Sequence, residues 1–453
     1  MEQEPNHQVL NMYKVDTERL SSMYLKISED PKILSKVAGK ISCSIFRVPQ
    51  GLIDANGKAY QPHIVSIGPY HHGHNRLNMI EEHKWSYLGS LLSRTKTIGL
   101  TLEELLKAIA SLESEARECY SETILLDTHD FIEMMVLDGC FLIELFRKVA
   151  KLVPFEQDDP LVTMAWILPF FYRDFLKLEN QIPFFVLERL FELSKLPEEK
   201  LTPTLSSIAM EFFNNSLFRP EEVLAQQSGL VGKHLLDLVR TSFIPSDLQT
   251  EPNRVITPTH VIHCVSKLQR AGIKITPGNN NNNDTFLHVK FKHGVIQMPT
   301  ITMDDFMSSF LLNCVAFEQC YSGCNSKHFT TYVTLLDCLI NTYRDVEYLC
   351  ERNIIENHFG TEGEVASFIN NAGKDVAVDL EYCYLSKLFN EVHEYYGNSW
   401  HVQWASFKYT YFDTPWSFIS ALAAFVLLVL TVSQTYFAAY QYFDTKHSSS
   451  KQG

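Results

Sequence analysis

Histidines and carboxylates are unusually dense in one stretch, PHIVSIGPYHHGHNRLNMIEEHK, which covers residues 62–84. Zinc and iron accept imidazole and carboxylate ligands, so His71, His72 and His74 are weak candidates for a metal site. They lie on a loop bounded by glycine and proline, however, and no H-E-x-x-H pattern is present. The alternative is a packed loop whose imidazoles bond to backbone groups. On the metal hypothesis, residues 63–83 would be the centre of a metal-dependent enzyme.

A second group, Cys320, Cys324 and His328, has C-x3-C-x3-H spacing and is a weaker candidate for zinc. It has no clear second ligand pair, and a free cysteine is commonly a small buried hydrophobe. The sequence contains no G-x-S-x-G, P-loop, G-x-G-x-x-G or kinase motif set. It therefore names no catalytic residue and no cofactor, and a non-enzymatic function is favoured.

Carboxylates within apolar stretches could form a catalytic pair, but a structural role is favoured. Asp138 and Glu144 lie within an apolar helix predicted for residues 131–149. We expect one of them to pair with a buried arginine such as Arg117, and the other to lie at the rim. Two further acids are expected to satisfy chain breaks within a helical core, Glu179 and Glu318.

Sequence patterns also predict the helices around these residues. Thr101 and Glu104 form a capping box, which predicts that a helix begins there. Another helix is predicted around residues 85–92. Pro183 suits the first turn of a further helix, so residues 178–182 (LENQI) are predicted to be a polar break before it. After the capping box, one apolar stripe predicts a single amphipathic helix through Leu102, Leu105, Ile109, Leu112, Ala116 and Cys119.

Later helices are predicted near residues 204–214, 230–240, 258–270, 305–321, 329–350, 362–371 and 380–396. Strand signals are fewer: residues 286–291 alternate, KHG predicts a turn, and residues 295–303 follow as the second strand of a hairpin. The fold class predicted is therefore mainly α with a small β-hairpin or sheet.

Composition limits the function classes. The 453 residues carry a net charge of −14, which disfavours nucleic acid as a partner. The N-terminus lacks the basic and apolar regions of a secretory signal, so the ten cysteines are expected to be reduced thiols. Two short glycosylation sequons, at Asn214 and Asn283, carry no weight if the domain is cytosolic.

A long apolar segment lies near the C-terminus. No charged residue occurs between Asp413 and Asp444, and an apolar core runs from Phe418 to Tyr440. About 20 apolar residues suffice to span a bilayer as a helix. Trp416 and several tyrosines flank the core, as aromatic residues do at membrane interfaces. The prediction is one transmembrane helix over residues 416–440, although Ser433, Gln434 and Thr435 leave a buried core helix as the alternative.

Several motifs occur in one order along the chain: FRVP, AYQPHIVSIGPYHHG, EEHK, MMVLDGCFLIELF, LENQIPFFVLERLF, HLLDLVR, GVIQMPTITMDD, NCVAFEQC and PWSFISALAA. In this combination the chain resembles the plant domain of unknown function 247 family over nearly its whole length. The resemblance implies a plant membrane protein with a C-terminal anchor and no established catalytic residue. It implies structural roles at the motif positions Pro69, Tyr70, Gly73, Asp138, Gly139, Glu179, Asn180, Gln181, Pro183, Glu318 and Gln319.

These observations predict a polar N-terminal extension (1–40), a helical soluble domain (41–412), the membrane helix (416–440) and a short polar tail (441–453). The helix would be the only targeting signal, which leaves the domain in the cytosol, anchored to the plasma membrane or an endomembrane. Some members of the family that the chain resembles take part in pollen self-incompatibility of grasses, and others in reproductive or stress roles. The resemblance therefore implies recognition or signalling, with the bilayer and a protein as partners.

Overall fold

The structure is a computed structural model that describes residues 16–197, 203–227, 229–245, 248, 262–278, 285–323, 327–377, 383–397 and 415–449. The first half of the described chain forms helices α1 (Thr17–Ser28), α2 (Gln50–Asn56), α3 (Glu81–Thr95), α4 (Leu102–Ala110), α5 (Glu113–Glu118), α6 (Thr128–Val149), α7 (Pro160–Thr163), α8 (Ile167–Asp174) and α9 (Phe184–Leu193). The second half continues with α10 (Leu205–Leu217), α11 (Glu221–Gln226), α12 (Leu235–Ser242), α13 (Val265–Arg270), α14 (Asp305–Cys320), α15 (His328–Leu339), α16 (Tyr343–Glu351), α17 (Glu362–Ala372), α18 (Ser386–Gly397) and a C-terminal helix (Pro415–Ser449).

Five short strands complete the fold: β1 (Lys274–Pro277), β2 (Lys290–Lys292), β3 (Val295–Met298), β4 (Ile301–Met303) and β5 (Ile355–Asn357). Strand β3 is central to one sheet, pairing antiparallel with β2 and parallel with β1. Strand β4 pairs with β5 in a second, parallel sheet. The predicted fold class, mainly α with a small β component, is confirmed.

The predicted hairpin forms, but in a shorter version. His293 and Gly294 have φ of 48° and 77°, the left-handed conformations that a two-residue hairpin turn requires. The predicted second strand, 295–303, is divided into β3 and β4, which lie in different sheets. Pro299 falls at the division, and proline has no N–H to donate to a ladder.

Two predicted helices are each divided. The stripe after Thr101 runs through α4 and α5, with a bend at Ser111 and Leu112, so the prediction of one helix was wrong. Residues 329–350 form α15 and α16, because Thr342 opens a new capping box with Asp345. Of the predicted helix 258–270, only α13 lies within the described residues.

Helix α6 lies at the centre of the hydrophobic core, as its apolar sequence predicted. Asp127 caps its first turn. Between Phe131 and Lys148, buried residues occur on every face of the helix. Helices α3, α4, α9 and α10 pack around it. Gly139 permits the close approach of α9, since a Cβ atom there would lie 2.4 Å from Leu190 Cδ1.

This contact predicts opposite effects for two helical glycines. Gly139→Ala should lower the free energy of unfolding by about 1–3 kcal/mol, because Leu190 is fully buried and its methyl group cannot move into solvent. Gly89→Ala is the matched control: Gly89 is exposed on α3 and a Cβ atom there would meet no other residue within 4 Å, so alanine should stabilise by roughly 0.5–1 kcal/mol. Denaturant unfolding of the full chain in detergent measures both. A neutral or stabilising Gly139→Ala would contradict the close packing.

Candidate functional site

Residues 63–70 (HIVSIGPY) form a segment without regular secondary structure that is buried except for exposed His63 and half-buried Pro69. A buried backbone that is not in a helix or sheet leaves its N–H and C=O groups without ladder partners. Here side chains supply those partners. We call the four side chains that do so, Lys84, Asp138, Asp174 and Asn180, the buried polar cluster.

Asp174, the last residue of α8, accepts hydrogen bonds from three consecutive backbone amides. Its carboxylate lies 2.9 Å from the nitrogens of His63 and Ile64 and 3.3 Å from that of Val65. The His63 ring also contacts it, with Nδ1 at 3.1 Å from Oδ1. Asn180 continues the pattern, since its Oδ1 accepts from the Ile67 amide at 2.7 Å.

Asp138 and Lys84 form the charged part of the buried polar cluster. Lys84 Nζ donates to Asp138 Oδ1 at 2.7 Å, and both side chains are almost completely buried. The same ammonium donates to the Ser66 carbonyl and to Glu81 Oε1, each at 2.6 Å. Asp138 Oδ2 accepts from the Gly68 amide at 2.8 Å.

One of the two acids in α6 pairs with arginine, as expected, but the arginine is not Arg117. Glu144 is fully buried and pairs with Arg94 at 3.0 Å and with buried Arg147 at 3.7 Å. Arg117 pairs instead with Glu113 at 2.8 Å. The expectation of a rim position for the other acid was wrong, because Asp138 is also buried.

Gly68 is required by the geometry of this segment. Its φ of +77° is a left-handed conformation, and a Cβ atom there would lie 2.3 Å from the Gln181 carbonyl oxygen. The segment therefore passes directly against the break between α8 and α9. Residues 178–182 do form that break, as predicted, and α9 begins after Pro183.

Residues 178–182 are buried, and amide side chains provide hydrogen-bond partners for the backbone in and around this break. Gln181 Nε2 donates to the carbonyls of Phe175 and Lys177 at 2.7 and 2.8 Å, and its Oε1 accepts from the Leu236 amide. Asn313 of α14 accepts from the Leu178 amide at 2.9 Å. The break thus connects the N-terminal and C-terminal halves of the described domain.

Glu179 lies at the edge of the same region and connects it to the FRVP motif. Its carboxylate accepts from Arg47 Nη1 and from the Val48 amide, each at 2.8 Å, and His71 Nε2 lies 3.4 Å away. Burial alone would raise the pKa of Glu179, but these three groups outweigh it and hold the pKa below its ordinary value. Arg47 also lies 4.2 Å over the Tyr70 ring.

Glu318 performs a similar task in the C-terminal half. This fully buried carboxylate accepts from the amides of Phe329 and Thr330 at the start of α15 and from Arg240 Nη1 at 3.1 Å. Burial raises its pKa above the ordinary value despite these contacts. Gln319 holds residue Ala377 through both its amide N–H and its carbonyl, each at 3.0 Å.

Of the metal candidates, the rings of His71 and His74 lie close together, with centroids 5.8 Å apart. His71 is buried beside Glu179, whereas His72 and His74 are exposed. His328 is buried in α15 with Nε2 at 3.1 Å from the Leu248 carbonyl, Cys320 is half-buried, and Cys324 lies outside the described residues. Within the described part of the chain, no three His, Cys, Asp or Glu side chains form a group that could hold a metal ion.

Several important residues were missed from the sequence: Lys84, Arg47, Asp174, Asn313 and His234. The available signal was a charged or amide residue within an apolar pattern, which marks a buried polar group but does not name its partner. His234 is an example. It is fully buried, with Nε2 at 3.0 Å from the Ser44 carbonyl, and Nδ1 accepts from the Asp237 amide.

The C-terminal helix differs from all of these elements. It contains one stretch, Phe418–Gln441, of 24 residues with mean hydropathy 2.0, and none of its most apolar part is buried. By length and composition it could cross a membrane. The described chain is thus a helical domain held together by buried polar side chains, with one exposed apolar helix after it.

Comparisons with known proteins identify the family. Residues 45–430 match a family described as plant protein of unknown function, DUF247, and the chain belongs to it. A UPF0481 protein of Arabidopsis thaliana is 37% identical over 92% of this chain and 91% of its own length. A putative UPF0481 protein of the same plant is 24% identical over 88% and 90%. No solved structure matches the chain.

The buried polar cluster predicts a large effect of one substitution. Asp138→Asn should lower the free energy of unfolding by about 1–3 kcal/mol, because it removes the fully buried one of the two carboxylates that pair with Lys84. Glu103→Gln is the control, since the exposed Glu103–Lys107 pair on α4 should leave stability unchanged within error. Urea unfolding of the full chain in detergent measures both. An Asp138→Asn midpoint equal to that of the wild type would contradict this role.

The burial of His234 predicts that the stability of the fold depends on pH. Burial lowers its pKa to about 4 in the folded protein, against about 6.5 when unfolded. The unfolded state therefore binds more protons between these values, and stability falls as pH drops from about 6.5 to 4, by up to roughly 3 kcal/mol. His234→Gln should flatten the stability curve over this window. His129→Gln, on the exposed start of α6, should keep the wild-type slope; equal slopes in all three proteins would contradict the assignment.

Proposed function

We propose that this protein is a single-pass membrane protein whose C-terminal helix anchors a cytosolic helical domain, and that the domain recognises a protein partner. One observation carries the proposal. The stretch Phe418–Gln441 is strongly apolar, yet none of its most apolar part is buried. An apolar surface of this size requires a cover, and a bilayer provides one.

The geometry of the helix supports insertion. Its 24 residues extend about 36 Å at 1.5 Å per residue, against about 30 Å of hydrocarbon. The polar residues that favoured a core helix are compatible with lipid, since the hydroxyls of Ser433 and Thr435 donate to the carbonyls of Val429 and Thr431. The helix is also unlike a core helix in its exposure, with Phe418 and Tyr440 at 44% and 61%.

Two observations support the cytosolic side. None of the nine described cysteines is part of a disulfide, as expected in a reducing compartment. The Asn214 side chain of one sequon is engaged in a turn, donating to the Arg219 carbonyl and accepting from the Arg219 amide. A glycan would replace one of the protons of this amide group.

Recognition is favoured over catalysis because of how the motif residues are used. The carboxylates and amides of the motifs hold backbone segments in place, and their hydrogen-bonding capacity is directed inward. The surface therefore remains as the place of function, and its acidic charge suits a protein better than nucleic acid. We place the protein in signalling or recognition, in a reproductive or stress context.

A double substitution in the helix tests the anchor and the partner together. Leu428→Arg with Val432→Arg should move the full chain from the membrane fraction to the soluble fraction, because each arginine costs about 2.5–3.5 kcal/mol at the centre of a spanning helix. Leu428→Ala with Val432→Ala is the matched control and should stay in the membrane after an alkaline wash. Proximity labelling in plant cells should recover the same proteins with the wild type and the alanine variant, above the background of the labelling enzyme on an unrelated anchor.

A different result would contradict each part of the proposal. An arginine variant that stays in the washed membrane would show that this helix is not the anchor. A set of labelled proteins equal to the background would contradict the proposal of a protein partner. In sealed vesicles, protease should digest an N-terminal tag, and protection of the tag would reverse the orientation.

A further inference from the structure

A cavity of about 660 Å³ lies where the end of α10 and helix α11 face the edge of the β4–β5 sheet. Its volume falls within the range of pockets that enclose small organic molecules. The walls include the apolar side chains of Phe243, Phe286, Phe306 and Met307. Part of its wall belongs to the GVIQMPTITMDD motif, and no member of the buried polar cluster lines it.

Arg219 lines this cavity and is cationic. One side of its guanidinium is hydrogen-bonded within the protein, and its face stacks on an aromatic ring. The guanidinium carbon lies 3.7 Å over the Phe243 ring centroid. Nη1 donates to Ser242 Oγ at 2.9 Å and, at 3.3 Å, to the Ser242 carbonyl and to Gln227 Oε1. These contacts fix the plane of the group.

The other edge of the guanidinium has no hydrogen-bond partner among the described residues. Nη2 is shielded from solvent and has no acceptor among the residues that the structure describes, and all the side-chain hydrogen bonds of Arg219 there involve Nη1. The Nε–Nη2 edge of a guanidinium carries two N–H groups in one plane, and no described residue accepts from this edge of Arg219. That is the arrangement which binds a carboxylate through two parallel hydrogen bonds.

No carboxylate of the described chain neutralises this arginine. The cavity contains two acids, but Asp304 Oδ1 accepts from the Met307 amide at 2.7 Å, and Glu356 Oε2 accepts from Thr302 Oγ1 at 3.0 Å. Burial lowers the pKa of Arg219 to about 9, so the group stays cationic at neutral pH. A shielded cation without a counter-ion is costly, and a bound anion would remove that cost.

The turn that positions Arg219 is held under strain. Asn214 binds the backbone of Arg219 on both sides, through its amide nitrogen at 3.1 Å and its oxygen at 2.8 Å. The preceding residue, Phe218, has φ of 50°, an unfavourable conformation for a bulky side chain, and it is 84% exposed at the cavity. Strained residues cluster at binding sites, where the surrounding structure enforces them.

We propose that this cavity binds a small monocarboxylic acid with an aromatic or other apolar body, whose carboxylate pairs with the Nε–Nη2 edge of Arg219. The single unpaired guanidinium edge matches one carboxylate. The acids Asp304 and Glu356 disfavour a dianion such as phosphate, and the phenylalanine walls suit an apolar body. This site is independent of the membrane anchor and goes beyond the function proposed above.

Calorimetric titration of the full chain in detergent tests the proposal with three probes: 2-naphthoate, its neutral analogue 2-naphthamide, and inorganic phosphate. The wild type should bind naphthoate at least about tenfold more tightly than the amide or phosphate. Arg219→Met should weaken naphthoate binding by about tenfold or more, whereas binding of the amide should change little. Arg219→Lys should also weaken it, because an ammonium group cannot present two parallel N–H groups.

A second variant keeps the test decisive if Arg219 is needed for folding. Val223→Trp places a large side chain at the cavity wall from a half-buried position on α11, and it should abolish naphthoate binding while the unfolding temperature stays near that of the wild type. Glu222→Gln on the exposed face of α11 is the control and should bind as the wild type does. Equal affinities for acid and amide, no binding by the wild type, or undiminished binding by a folded Val223→Trp variant would each overturn the proposal.

Discussion

The structure depends on one constraint: a buried stretch of backbone must find hydrogen-bond partners although it belongs to neither a helix nor a sheet. Residues 63–70 meet this constraint with side chains, because Asp174, Asn180 and Asp138 accept from their amides and Lys84 donates to a carbonyl. Each unsatisfied buried group would cost on the order of 1–3 kcal/mol. The positions of α3, α6 and α8 relative to one another follow from this requirement.

The same solution recurs elsewhere in the domain. Asn313 and Gln181 satisfy the break between α8 and α9, and Glu318 receives the first amides of α15. Polar side chains of this kind fix one arrangement of helices where apolar packing alone would tolerate several. A domain built in this way has a rigid interior, which leaves binding functions to its surface, to the cavity at Arg219 and to the exposed C-terminal helix.

Local patterns predicted the local features well. The capping box at Thr101, the central helix α6 and the break before Pro183 each depend on residues close in sequence, and all three were found. The partners of the buried charges were not predictable in this way: Asp138 pairs with Lys84 because the fold places α3 against α6. The cavity at Arg219 combines segments from 216 to 358, so no single stretch of sequence could reveal it.

The long sequence separations within the buried polar cluster bear on synthesis of the chain. The amide of Gly68 is 70 residues from Asp138, and those of His63 and Ile67 are 111 and 113 residues from Asp174 and Asn180. At roughly 5–20 residues per second, a ribosome needs several seconds to cover such a distance. During this delay residues 63–70 lack the side chains to which their backbone bonds in the native fold. We therefore expect a nascent chain of about one hundred residues to depend on chaperones, and a chain extended past the start of α9 to become independent of them.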